Sequence, residues 1–173
     1  MKLFDQQAEF DAIVLPHLDA AFNLARWLAG NDHDAEDIAQ EAALRALRFL
    51  GGFRGGSAKA WLLTIVRNTA FTWLKQNRPA LFVSLDNEEL HEIEDNAPAP
   101  SEALIRSANV ELLRNALTEL PPLFREALIL REIEGLSYKE IAEIVEAPIG
   151  TVMSRLGRAR QQFQTILKEK EAQ

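Results

Sequence analysis

Residues 135–160 read GLSYKEIAEIVEAPIGTVMSRLGRAR, and the architecture turns on them. Ser137 stands three residues before Glu140, the spacing of a capping box at a helix start. Ile141, Ile144 and Val145 give that helix an apolar face, and the small Ala142 suits a close helix crossing. Ala147, Pro148 and Gly150 interrupt the run, after which a second helical period begins. Val152, Leu156, Ala159 and Phe163 fall on one side of it. Thr151, Ser154, Arg155, Arg158 and Gln162 fall on the other. The pattern is a helix-turn-helix. Its second helix offers hydroxyls, guanidiniums and an amide, groups that reach base edges and phosphates in a major groove. A plain helical hairpin with a solvated face has the same periodicity.

The remaining helices come from their own periods. Asp5 to about Ala29 is expected as one helix, with Phe10, Ile13, Val14, His17, Leu18, Ala21, Ala25 and Leu28 inward and Pro16 kinking it or marking a late start. Gly30-Asn31 ends it. His33, Asp34 and Asp37 could be taken for metal ligands, but acids at a helix start are explained by the helix dipole, so no metal is expected. The next helix, 34–50, turns Ala39, Ala43, Ala46, Leu47 and Leu50 inward. Asp37, Gln40, Glu41, Leu44 and Arg48 share another face, where a leucine ringed by charge suits partner docking or stands as a stray apolar residue.

Residues 51–56, GGFRGG, make a loop. A helix precedes it rather than a strand, so it is no dinucleotide fingerprint. Ser57 caps a helix to about Asn77, with Trp61, Leu62, Ile65, Val66, Trp73 and Leu74 as its apolar face. A separate stripe holds Thr64, Arg67, Asn68, Phe71, Lys75 and Arg78. Aromatics among basic residues suit single-stranded nucleic acid; the alternative is that Phe71 is core and the cations are solvated.

Residues 81–100 lack a period. Asp86, Glu88, Glu89, Glu92, Glu94, Asp95 and Glu102 lie in or beside this stretch with no Lys or Arg among them, so much of the net charge of −7 sits here. It reads as a tether able to span roughly 65 Å if extended. Ser101 then caps a helix with Ile105, Ala108, Leu112, Ala116 and Leu120 inward. Pro121-Pro122 opens another, carrying Leu123, Ala127, Leu130 and Ile133. The expected architecture is all-α: two small helical domains, 1–79 and 104–173, joined by a flexible acidic linker, 80–103.

The chain contains no cysteine, which fits a reducing compartment. No signal peptide and no apolar run of roughly 18 residues is seen, so a cytoplasmic protein without membrane insertion is expected. No nucleophile–base set, phosphate loop or metal cluster is found. The expectation is therefore no enzyme, no catalytic residue and no cofactor.

Three helical segments, with the acidic linker between the second and third in chain order, resemble the extracytoplasmic-function (ECF) group of bacterial sigma factors. LPPLFREALILREIEG (120–135) with the helix-turn-helix is similar to the region that reads the −35 promoter element. DAEDIAQEAALRAL (34–47) is similar to the helix that grips the clamp helices of the polymerase β′ subunit. FRGGSAKAWLLTIVRNTAFTWLKQNR (53–78) resembles the segment that opens and reads the −10 element. The resemblance implies sigma region 2 at 1–79 and region 4 at 104–173.

It assigns core-polymerase binding to Asp37, Gln40, Glu41, Leu44 and Arg48. The melted −10 strand goes to Phe53, Arg54, Ser57, Trp61, Arg67, Asn68, Phe71, Thr72, Lys75 and Arg78. The −35 duplex goes to Lys139, Thr151, Ser154, Arg155 and Arg158. The implied partners are core RNA polymerase (β′ clamp helices and β flap), promoter DNA and an anti-sigma factor.

Three positions depart from the family pattern. Thr72 stands where an Asp is usual, and Met153 where many members have Lys. Gly157 lies in mid-helix, at a cost of about 1 kcal/mol relative to Ala, and either weakens −35 binding or bends the helix. A homodimeric operator-binding regulator and a helical protein-binding adaptor are the alternatives from other classes.

Overall fold

The computed structural model describes residues 2–83 and 110–173. Every regular element among them is helical, and two compact units are distinguished: the helices up to Asn77 make up nearly all of one, and most of the helical residues from Val110 on belong to the other.

The first unit begins with α1 (Lys2–Val14). Pro16 does more than kink a continuous helix. Leu15–His17 form a single tighter turn, and α2 (Leu18–Ala29) starts after it. Gly30 closes α2 at φ 85°, a left-handed conformation that glycine adopts without a Cβ penalty. Asn31 then caps α3 (Asp32–Arg48): its Oδ1 accepts the Asp34 N–H at 2.9 Å, and its amide donates to the Asp34 carboxylate at 2.7 Å. Arg26 reaches Asp32 at 2.7 Å and ties the end of α2 to the start of α3.

The core-facing side of α3 is displaced by about one residue from the expected one. Ala35, Ile38, Ala42, Ala46 and Leu50 are buried, whereas Ala39 and Ala43 are half-buried and Leu47 is exposed. Successive small residues let α3 lie close to its neighbours. The helix α4 (Ala58–Asn77) packs on α2 and α3, with further contacts to α1. Being surrounded, it buries a wider arc than one stripe: Leu62, Leu63, Val66, Thr69, Ala70, Phe71 and Leu74. Ile65 and Trp73, expected inward, are half-buried, and Leu18 of α2 is exposed. Leu24, with no accessible surface, joins this core unanticipated. Pro79 ends the helical run, and one short turn, α5 (Ala80–Val83), comes after it.

The second unit holds α6 (Val110–Glu119), α7 (Pro122–Leu128), α8 (Tyr138–Val145) and α9 (Ile149–Glu171). The expected cap at Ser101 and the inward Ile105 and Ala108 lie outside the described residues, as does most of the expected linker. Pro122 occupies the first turn of α7 as expected. From Ile129 to Ile133 the winding widens to a π turn, closed by Glu134 N–H on the Ile129 carbonyl at 3.0 Å. Gly135 at φ 67° then lets Leu136 N–H return to the Leu130 carbonyl at 3.0 Å. Ile133, expected inward, is exposed because the wide turn rotates it out of register.

Arg125 is buried, and three carbonyls at the end of α6 account for it. Its Nε donates to Leu117 O at 2.9 Å, and its Nη2 donates to Thr118 O and Leu120 O at 2.8 Å each. A cation thus closes the negative end of α6. Burial pushes the guanidinium down to about 10, which still leaves it charged at neutral pH.

Candidate nucleic-acid interface

The helix-turn-helix forms with its local signals intact. Glu140 N–H donates to Ser137 Oγ at 3.1 Å, and Ser137 N–H donates to Glu140 Oε1 at 3.2 Å, so two orphan donors at the start of α8 are satisfied reciprocally. Ile141, Ile144 and Val145 are buried. Glu146 ends α8 in the left-handed region, at φ 54° and ψ 49°, a strained place for a residue with a Cβ. Pro148 starts α9 without a side-chain cap, and Gly150 lies inside the helix rather than before it.

In α9 the expected division holds. Val152, Leu156, Ala159 and Phe163 are buried, while Thr151, Ser154, Arg155, Arg158 and Gln162 are partly exposed and Lys139 of α8 is exposed. Ser154 Oγ donates to the Gly150 carbonyl at 3.0 Å, which leaves its oxygen as an acceptor toward solvent. Gly157 is buried and α9 runs through it without interruption.

Cations fix the angle of this unit. Arg160 reaches Glu132 at 3.1 Å, joining α9 to the π turn, and Lys170 pairs with Glu119 of α6. Partial burial works against the Arg160 charge, but hydrogen bonds to Glu132 and Tyr138 outweigh it and raise the pKa. Arg131 donates to the Leu136 carbonyl at 2.8 Å, and its guanidinium lies 4.7 Å from the centre of the Tyr138 ring.

On α3, the five residues Asp37, Gln40, Glu41, Leu44 and Arg48 are all exposed. Leu44, the apolar member of the set, keeps 59% of its surface accessible. Gln40 is exposed with them, on the side of α3 away from Ala35, Ile38 and Ala42. Arg45 steadies the outer face: Nε meets Glu41 Oε1 at 3.1 Å, and Nη1 reaches Thr69 Oγ1 of α4 at 3.4 Å. His33, Asp34 and Asp37 bring possible ligand atoms within 4.8 Å of one another at the α3 start. Asp34 is already engaged by Asn31 there.

The loop before α4 turns at Gly55 (φ 89°) and Gly56 (φ 82°). A Cβ at either glycine would meet nothing within 4 Å, so it is the backbone, and not crowding, that calls for glycine. Phe53 packs on Trp61, ring centres 5.4 Å apart and tilted by 56°. Ser57 Oγ accepts the Ala60 N–H at 3.1 Å and so caps α4. Arg54, Thr72 and Lys75 are exposed; Arg67, Asn68 and Arg78 are partly so. Thr72 Oγ donates back to the Asn68 carbonyl at 2.9 Å.

Phe71 corrects the expectation of an open aromatic platform. It is 5% exposed, and the Arg67 guanidinium lies 4.0 Å from the centre of its ring. The residue falls on the broad buried arc of α4, next in phase to Leu74. The ring therefore offers no face to a base in this conformation.

Residues 13–79 match the Sigma-70 region 2 family, and residues 110–163 match Sigma-70, region 4. The RNA polymerase sigma-H factor of Pseudomonas aeruginosa is 36% identical over 167 residues, covering 92% of this chain and 86% of that protein. The ECF RNA polymerase sigma factor SigE of Mycolicibacterium smegmatis is 36% identical over 165 residues; 94% of this chain is covered, but only 64% of that longer protein. Among solved structures, the sigma factor RpoE in complex with the anti-sigma factor NepR from Bartonella quintana aligns with a TM-score of 0.69 and 31% identity. The alignment covers 97% of this chain and 98% of that one. With both halves of the sigma pattern in order and similarity that runs nearly end to end, this chain belongs to the ECF group of the sigma-70 family.

Proposed function

We propose that the chain is a promoter-selecting subunit of RNA polymerase, with region 2 at 1–79, a linker at 80–103 and region 4 at 104–173. The observation that carries this reading is the presence of two unlike surfaces, one in each unit. Leu44 stands exposed on α3 with Asp37, Glu41 and Arg48. A capped helix-turn-helix presents Thr151, Ser154, Arg155 and Arg158. The first set, with the exposed Gln40 among it, docks core polymerase, and the second reads the −35 duplex, with Lys139 beside it.

Arg54, Arg67, Asn68, Thr72, Lys75, Arg78 and the Phe53–Trp61 pair line the path of the opened −10 strand. Opening costs stacking energy, about 1.4 kcal/mol per step, which contacts to the freed strand offset. The protein does no covalent chemistry and works in the cytoplasm. Among the described residues no helix is long and apolar enough to cross a membrane. A net charge of −7 disfavours unaided binding to phosphates, so polymerase supplies most of the affinity. The structurally similar RpoE is bound by an anti-sigma factor, and an analogous partner is inferred to hold this chain inactive.

The test is transcription in vitro by purified core polymerase on a randomised promoter library, with and without the chain. Promoter-specific initiation that depends on the chain, and that falls in Arg155→Ala or Arg158→Ala while polymerase binding persists, is the expected result. Tight operator binding by the chain alone, with core polymerase no more selective than before, overturns the proposal.

A further inference from the structure

The first two turns of α9 carry a feature that polar contacts do not explain. Ile149 is 45% exposed and Met153 is 38% exposed. They stand four residues apart, which makes them neighbours on one helix face. Neither is needed as core there, since Val152 and Leu156 fill that role with 1% or less of their surface exposed. Between them in sequence, a Cβ built at Gly150 would meet nothing within 4 Å, so the first turn of α9 is uncovered on that side as well. A lone exposed apolar residue is ordinary. Two in adjacent turns, at the N-terminal end of a helix that otherwise shows Thr151, Ser154, Arg155 and Arg158, form an apolar flank between the buried side and the polar side.

The N-terminal turns of a recognition helix meet base edges. The major groove offers one apolar group, the C5-methyl of thymine. We infer that Ile149 and Met153 read thymine methyl groups in the −35 duplex, so that this chain selects for T at positions where a basic side chain would select for G. The inference rests on the proposed function and deepens it.

Deoxyuridine is the direct probe, because it pairs as thymine does and lacks only the methyl. The holoenzyme is offered the promoter it selects from a randomised library, with each −35 thymine replaced singly by deoxyuridine. At one or more positions, initiation is expected to fall about three- to fivefold, the weight of one buried methyl group. That sensitivity should disappear in Met153→Ala or Ile149→Ala, and Met153→Lys should shift the selected element toward G. Both side chains are surface residues, and melting temperatures verify that the variants stay folded.

A wild-type holoenzyme indifferent to deoxyuridine, a selected element without thymine, or variants that keep full sensitivity would each overturn the inference while leaving the proposed function standing. Failure of the chain to direct initiation on the unmodified promoter removes the proposed function itself, and this inference with it.

Discussion

The Arg67 guanidinium lies 4.0 Å from the centre of the Phe71 ring, one turn further along α4. The ring beneath is 5% exposed. The pair shows one side chain serving the core and another covering it while keeping its charge toward the surface. Phe71→Ala should therefore lower the stability of the N-terminal helices by about 3–5 kcal/mol, whereas Phe71→Leu should cost far less. Chemical denaturation measures both. Phe71→Leu should open a duplex promoter at the wild-type rate; slower opening on duplex with normal use of a pre-melted template would show that the ring turns outward during opening.

Arg125 spans three carbonyls with one planar group. Arg125→Ala leaves buried acceptors without a donor and should cost roughly 3 kcal/mol. Arg125→Lys should recover less than half of that, because an ammonium is compact and cannot reproduce the fork. Urea midpoints of the two variants decide the matter, and equal stability of Lys and Arg forms would refute the cap.

The start and end of α8 should respond in opposite directions. Ser137→Ala removes the acceptor for Glu140 N–H and should destabilise by about 1 kcal/mol. Glu146 sits at φ 54°, so Glu146→Gly should stabilise by about 0.5–1 kcal/mol and Glu146→Val should destabilise by more than that. Thermal unfolding of the three variants gives the signs directly.

Asp37 and Leu44 are exposed, so replacing both with alanine should move the stability by no more than about 0.5 kcal/mol per site. The same double variant should lose core polymerase in co-elution. An unchanged complex would show that this face of α3 is merely solvated.

The helix-turn-helix is legible in the sequence because its signals are local. A cap, a break and an apolar period lie within one another's reach, and Ser137, Glu140, Ile141, Val152 and Leu156 sit where that pattern puts them. The outer face of α3 is legible for the same reason at Asp37, Glu41 and Leu44. The inward face of α3 lies one residue away from the expected one, because runs of alanine carry a weak period and the burial of Ala35, Ile38 and Ala42 is decided by the neighbouring helices. Phe71 is ambiguous from the sequence since a helix enclosed by three others buries more than a single stripe. The roles of Arg125 and Arg131 are not visible at all. Their partners are carbonyls at the ends of other turns, and main-chain acceptors leave no mark in the order of side chains. The π turn is equally silent: nothing in Ile129–Ile133 distinguishes it from an ordinary apolar helix.

That wide turn has a consequence for register. The helix that starts at Pro122 carries one residue more than regular winding needs before Gly135. Losing a residue there would leave a regular helix but swing the downstream helix-turn-helix by roughly 100°, pulling Arg131 away from Tyr138 and the Leu136 carbonyl. Glu132 would leave Arg160 as well, so the extra residue sets the phase in which the last two helices meet the ones before them, and the length of these five positions is held by that packing.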